Sequence, residues 1–149
     1  MKLMGIDYGL KRIGVAVSDE RGVLAFPKII ILNDFNIFKK LSDLIKSYDI
    51  GEIVVGESLD LAGQANPLEA RIEIFIQELQ ERYKIPVRKQ KEFLTSVEAR
   101  KSKESKKSSH QSQVHSKQKS KKQDKVDAGA AALILQRYLD KMNQSRSRE

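Results

Sequence analysis

Asp127 is the residue whose setting most needs a chemical reason. On a helix the residues three, four, seven and eleven positions later share its face, and these are Ala130, Ala131, Ile134 and Tyr138. A carboxylate inside such an apolar stripe is disfavoured by on the order of several kcal/mol unless it is paired, protonated or bound to a cation. The plainer reading is a first-turn acid that complements the helix dipole. Asp7 is the second candidate, late in the strand-like run Met4-Gly5-Ile6-Asp7-Tyr8-Gly9, because strand interiors disfavour Asp. As a turn-former ahead of Gly9 it would be ordinary, but the flanking glycines would let a ligand approach closely. Two glutamates compete for a third place. Glu92 falls where a strand end meets a helix start, and Glu57 follows Ile53-Val54-Val55-Gly56, at a strand end of the kind where α/β sheets gather ligands. Each, taken alone, also reads as a solvated loop acid.

Such a set offers only oxygen. The chain has no cysteine, and His110 and His115 stand in a charged segment with no further ligand nearby, so zinc is disfavoured and Mg²⁺ or Mn²⁺ is the expected ion. Two such ions, roughly 3.5–4 Å apart, can activate a water and stabilise the leaving oxygen in phosphodiester hydrolysis.

The elements that must position these acids follow from periodicity. Leu3 to Tyr8 and Ile13 to Ser18 read as a hairpin around Gly9-Leu10-Lys11-Arg12, with Ile13, Val15 and Val17 alternating onto one face. Val23 to Leu32 reads as a third strand, at an edge or bulged because of Pro27. Ile37, Phe38, Leu41, Leu44, Ile45 and Tyr48 then fall on helical spacing. A strand is expected at Glu52 to Gly56. A second helix is expected from the cap Asn66-Pro67-Leu68-Glu69, with the stripe Leu68, Ile72, Phe75, Ile76, Leu79 and Tyr83. Pro86 to Lys91 reads as a last strand leading to the capping box Thr95-Ser96-Val97-Glu98. Residues 101–124 have no Leu, Ile, Met or aromatic residue and are expected to be disordered or loosely helical. Periodicity resumes at Val126 for a final helix to about Lys141, and 142–149 is expected to be a frayed polar tail.

Length and charge bound the rest. At 149 residues one compact domain is the expectation, 1–141 with its insert. The absence of cysteine fits a reducing compartment. No apolar run is long enough to span a bilayer, and Met1-Lys2-Leu3-Met4 runs straight into strand-like sequence without a signal-peptide core. A soluble, cytoplasmic protein without a membrane partner is therefore expected. The net charge of +8 is local, since residues 100–125 hold ten Lys or Arg against two acids and the remainder is balanced. Such a block attracts a polyanion by releasing its counterions. The expected nucleic-acid contacts are Lys11 and Arg12 in the hairpin, together with Arg100, Lys101, Lys103, Lys106, Lys107, Lys117, Lys119, Lys121, Lys122 and Lys125.

The run Gly5-Ile6-Asp7-Tyr8-Gly9-Leu10-Lys11-Arg12-Ile13-Gly14-Val15-Ala16-Val17-Ser18-Asp19 resembles the opening of the YqgF (RuvX-like) family. Ile53-Val54-Val55-Gly56, Leu94-Thr95-Ser96-Val97-Glu98-Ala99, and Lys125-Val126-Asp127 through Ala132-Leu133-Ile134-Leu135-Gln136 follow in the family's order. The resemblance implies an α/β, ribonuclease-H-like fold: a five-stranded mixed sheet, its first three strands antiparallel, with helices on both faces. It further implies a metal-dependent nuclease that matures the 5′ end of pre-16S ribosomal RNA. It carries the family's three catalytic, metal-holding carboxylates onto Asp7, Glu92 and Asp127, with two Mg²⁺ or Mn²⁺ ions expected once substrate is bound. The pattern departs in two places. Glu92 lies between Lys91 and Phe93, where the family usually has Asp-Glu-Arg, so an auxiliary acid and a phosphate-reaching arginine are missing. Gly56-Glu57-Ser58 replaces the frequent Gly-Leu-Pro, which makes Glu57 a possible auxiliary carboxylate, as in Holliday-junction resolvases of the RuvC type.

Three other readings compete. A structure-selective endonuclease acting on branched, four-way DNA would share the fold and the carboxylates. A binding protein without catalysis would share the charge. Sugar kinases and actin-like ATPases share the Asp7-Tyr8-Gly9 pattern, but hold ATP between two such domains, and this length supplies one. The expected partner is pre-ribosomal RNA or branched DNA, bound by a monomer or weak homodimer.

Overall fold

The computed structural model describes residues 1–58, 67–92 and 119–149, with only the backbone of 58, 67, 92 and 119–127. The expected helix at Thr95, the cap at Asn66 and most of the basic insert lie outside the described residues. The elements are β1 (Lys2–Tyr8), β2 (Arg12–Ser18), β3 (Ala25–Leu32), α1 (Ile37–Tyr48), β4 (Ile50–Ser58), α2 (Pro67–Tyr83), β5 (Val87–Glu92) and α3 (Lys119–Arg146). The five strands form one sheet in the order β3-β2-β1-β4-β5. β1–β2 and β2–β3 are antiparallel, while β1–β4 and β4–β5 are parallel. This is the mixed sheet expected.

Alternation divides the strands between two cores. Met4, Ile6, Ile13, Val15, Val17, Ile53 and Val55 face α1 and α2, where Ile37, Leu41, Ile72, Phe75, Ile76 and Leu79 close the larger cluster. Leu3, Ala16 and Val54 face α3 and meet Ala131, Ile134, Leu135 and Leu139. Both predicted helical stripes are thus the buried ones. Gly5 sets the depth of the second core, because a Cβ there would stand 2.7 Å from Leu135 Cβ and 2.8 Å from the Ala131 carbonyl oxygen. The helix rests on the strand almost backbone to backbone.

Several boundaries differ from the sequence reading; β4, for one, runs Ile50–Ser58 rather than Glu52 to Gly56. β3 starts at Ala25 rather than Val23, because Asp19 Oδ1 accepts the Val23 and Leu24 amides at 2.7 and 3.1 Å and holds them in a turn. Gly22 has φ +65° in the same turn, a conformation that glycine adopts without strain. β3 is an edge strand, and its register with β2 shifts between Val15 and Ala16, the latter facing Pro27. This is the bulge that proline demands. α3 begins ahead of Val126 and continues past Lys141, since Lys, Gln and Arg sustain a helix without an apolar stripe. Among the described residues no helix is long and apolar enough to cross a membrane.

Candidate active site

Asp7 stands one residue from the end of β1, half-buried. It shares the α3 face with Leu3 and Gly5, because side chains alternate along a strand. Its partner across β2 is Gly14. The parallel register that sets Ile6 beside Val55 puts Gly56 next to it on the other side. Neither neighbour has a side chain on that face.

α3 crosses this face antiparallel to β1. Gly22 lies against Leu3, Leu139 and Met142, while Gly5 lies against Ala131 and Leu135. From Gly5 to Asp7 the strand advances about 6.7 Å, which matches roughly four residues of helix. The turn of α3 over Asp7 is therefore the one that carries Asp127 and the buried Ala128. Ala131 and Ile134, on the face shared with Asp127, are fully buried. The stripe that singled out Asp127 is the packed side of the helix.

Glu92 is the last residue of β5 and pairs with Ser58. Its register position is on the α3 face, two steps beyond Gln90 and four beyond Arg88. That face is fixed by Glu52, which accepts the Tyr138 hydroxyl of α3 and pairs with Arg88. β5 is two strands from β1, about 10 Å across the sheet, and Glu92 stands two residues further along than Asp7.

Glu57 is placed elsewhere. It lies inside β4, level with Lys91, on the same face as Val55. There it is 3.6 Å from Lys89 Nζ, which also binds Glu69 and Glu73 of α2. Burial works against the charge of Lys89, but the hydrogen bonds to Glu69 and Glu73 outweigh it and raise its pKa. The same bond holds Glu73 below the usual carboxylate range. By strand register the positions of Asp7 and Glu92 fall on the sheet face that α3 crosses, and Glu57 falls on the other.

Lys11 and Arg12 are exposed at the hairpin beside Asp7. A Cβ on Gly9 would stand 2.5 Å from the Arg12 carbonyl oxygen, so the turn closes only around glycine. Asn33 clamps it, donating from its side chain to the Gly9 carbonyl and from its backbone to the Lys11 carbonyl, both at 2.9 Å. Lys119, Lys121, Lys122 and Lys125 are on α3 ahead of Asp127; Arg100, Lys101, Lys103, Lys106, Lys107 and Lys117 lie outside the described residues. Among the described residues no group of three His, Asp or Glu side chains is placed to hold a metal ion, and the side chains of Glu92 and Asp127 lie outside the described residues. Carboxylate donors alone would suit a hard cation.

The sequence reading missed the polar ties of α3. Gln136 accepts the Ala25 amide and donates to the Val23 carbonyl, and Asn143 donates to the Gly22 carbonyl. With Tyr138 on Glu52 they lock the helix over the sheet. Tyr138 was visible on the stripe of Asp127, and a phenol there needs a partner.

The model of the family described as "RuvX: Holliday junction resolvase" matches residues 1–141. A protein of Sulfurihydrogenibium sp. (strain YO3AOP1) named "Putative pre-16S rRNA nuclease" is 40% identical over 144 residues, covering 95% of this chain and 92% of its own length. One of the same name from Protochlamydia amoebophila (strain UWE25) is 35% identical over 148 residues, covering 93% of each. Among solved structures, the Fowlpox virus resolvase in complex with Holliday-junction DNA aligns with a TM-score of 0.51 at 15% identity, over 95% of this chain and 99% of that one. That likeness supports the ribonuclease-H-like fold.

Proposed function

This chain belongs to the RuvX (YqgF) family, and from that premise we propose that it is a nuclease, a hydrolase of phosphodiester bonds that trims the 5′ end of pre-16S ribosomal RNA. The observation that carries the proposal is that Asp7 stands near the end of β1, on the sheet face that α3 crosses. Relatives named for that activity cover nearly the whole chain. We assign the catalytic and metal-holding roles to Asp7, Glu92 and Asp127.

Bound divalent ions, Mg²⁺ or Mn²⁺, would lower the pKa of an attacking water and neutralise the leaving oxygen. Asp7 is held by the sheet, so its carboxylate needs little reorganisation to bind. Asp127 is held by α3, whose position is fixed by Gly5, Gln136, Tyr138 and Asn143. Lys11 and Arg12 take substrate phosphates at the hairpin, and the basic segment at 100–125 adds a salt-sensitive attraction. The setting we propose is the cytoplasm, the protein acting as a monomer or weak homodimer in a single domain.

Cleavage of precursor 16S RNA and of a synthetic four-way DNA junction by one preparation, with Mg²⁺ and with chelator, tests this reading. Mg²⁺-dependent cleavage of the RNA that Asp7→Asn abolishes is the expected result. Cutting by Asp7→Asn equal to the wild type would overturn the site. The family's description as a Holliday junction resolvase favours a second reading, a structure-selective DNA endonuclease, which preferential cutting of the junction would establish.

A further inference from the structure

A cavity of about 200 Å³ opens near the end of β1, lined by Tyr8, Asn33, Phe38, Arg71, Phe75 and Glu78 among others. It lies on the α1/α2 face, across the sheet from Asp7, and the hydrolytic account makes no use of it. Its aromatic wall is built: Tyr8 and Phe75 have ring centroids 4.9 Å apart, and Phe38 and Phe75 are stacked at 5.8 Å. Among the described residues neither the Arg71 guanidinium nor the Glu78 carboxylate has a hydrogen bond or ion pair. Asn33, the third polar group, is the residue that clamps the Gly9–Arg12 turn. Asn33 thus belongs both to the cavity lining and to the turn that carries Lys11 and Arg12.

Size and chemistry narrow the occupant. The space is below the ~300–1,000 Å³ of pockets for drug-sized ligands, which suits one planar ring system. Aromatic side chains with a few hydrogen-bonding groups are how proteins read unpaired bases. An arginine donates to an acceptor pair, and a carboxylate accepts from a donor pair. Guanine is the one common base that offers both, O6 with N7 and N1–H with the exocyclic amine.

We propose that this cavity takes one unpaired guanine of a nucleic-acid strand whose backbone crosses the Gly9–Arg12 turn on its way to Asp7. The strand is inferred from the nuclease reading, whereas the recognition of the base stands on the cavity alone. The test is a titration of the isotope-labelled full chain in chelator, read at the Asn33 side-chain amide and the Arg71 Nε by nuclear magnetic resonance. The probes are guanosine, inosine and cytidine 5′-monophosphates and ribose 5-phosphate. Saturable shifts with the guanosine nucleotide are expected, with several-fold weaker binding of the inosine form, which lacks the exocyclic amine, and no saturation with the other two. Arg71→Ala and Glu78→Gln are each expected to weaken the guanosine nucleotide roughly tenfold. Equal shifts with cytidine or ribose 5-phosphate would overturn the proposal, as would unchanged affinity in both variants or no shift at all. Because the titration involves no cleavage, a protein that cuts RNA but fails it loses only this site.

Discussion

On the α1/α2 side of the sheet the inward residues are Met4, Ile6, Ile13, Val15, Ile53 and Val55; on the α3 side the same strands present Gly5, Gly14, Ala16, Val54 and Gly56. Large side chains hold α1 and α2 away from the backbone and bury apolar area, which is where stability comes from. Small ones let α3 descend until Ala131 and Leu135 meet Gly5. Polar ties then fix its rotation, through Gln136, Tyr138 and Asn143. The first face tolerates some slack, because apolar packing has no single required position. On the proposed reading the second does not, because a carboxylate on α3 would have to meet one on β1 to within the size of an ion.

That contrast can be broken by substitution. Leu41→Ala on α1, at a fully buried site, is expected to lower stability by about 2–5 kcal/mol while cleavage per folded molecule stays at the wild-type value. Chemical denaturation together with single-turnover kinetics checks both parts, and a matching fall in rate would erase the distinction between the faces. Gly5→Ala is expected to destabilise by about 1–3 kcal/mol, and also to slow cleavage at temperatures where the protein is folded, because α3 must lift. Unchanged cleavage would show that the depth of α3 is irrelevant to the site.

Tyr138→Phe is the mildest break, expected at about 1 kcal/mol from the lost hydrogen bond. Burial, then the bond to Glu52, push the Tyr138 phenol up to about 12 from 10.0. Its neutral form is the one the fold favours, so this stabilisation is whole below pH 10 and is lost as the pH rises towards about 12. Stability measured across that window should fall more steeply in the wild type than in Tyr138→Phe, and parallel curves would remove Tyr138 as an anchor.

The legible parts of the molecule were those set by period. The stripes of α1, α2 and α3 and the alternation of β2 can be read from sequence because burial repeats with the geometry of each element. Asp7 and Asp127 stand out in the sequence for related reasons, Asp7 as an acid in a strand interior and Asp127 as an acid on an apolar helical stripe. Glu57 was not: Ile53-Val54-Val55-Gly56 is buried on both faces, so nothing in the run says which face the next residue takes. The start of β3 was hidden by a side chain, Asp19, that captures two amides. The ties from Gln136 and Asn143 span more than a hundred residues, and a cavity drawn from β1, α1 and α2 has no local signature.

The most direct measurement is Mn²⁺ binding to the full chain without substrate, by electron paramagnetic resonance, in the wild type, Asp7→Asn, Asp127→Asn and the double variant. If the two carboxylates share an ion, each single change weakens binding at least tenfold and the double change adds little more, as expected for groups acting as a unit. Wild-type affinity in either single variant would contradict the shared site, and with it the account of how β1 and α3 cooperate.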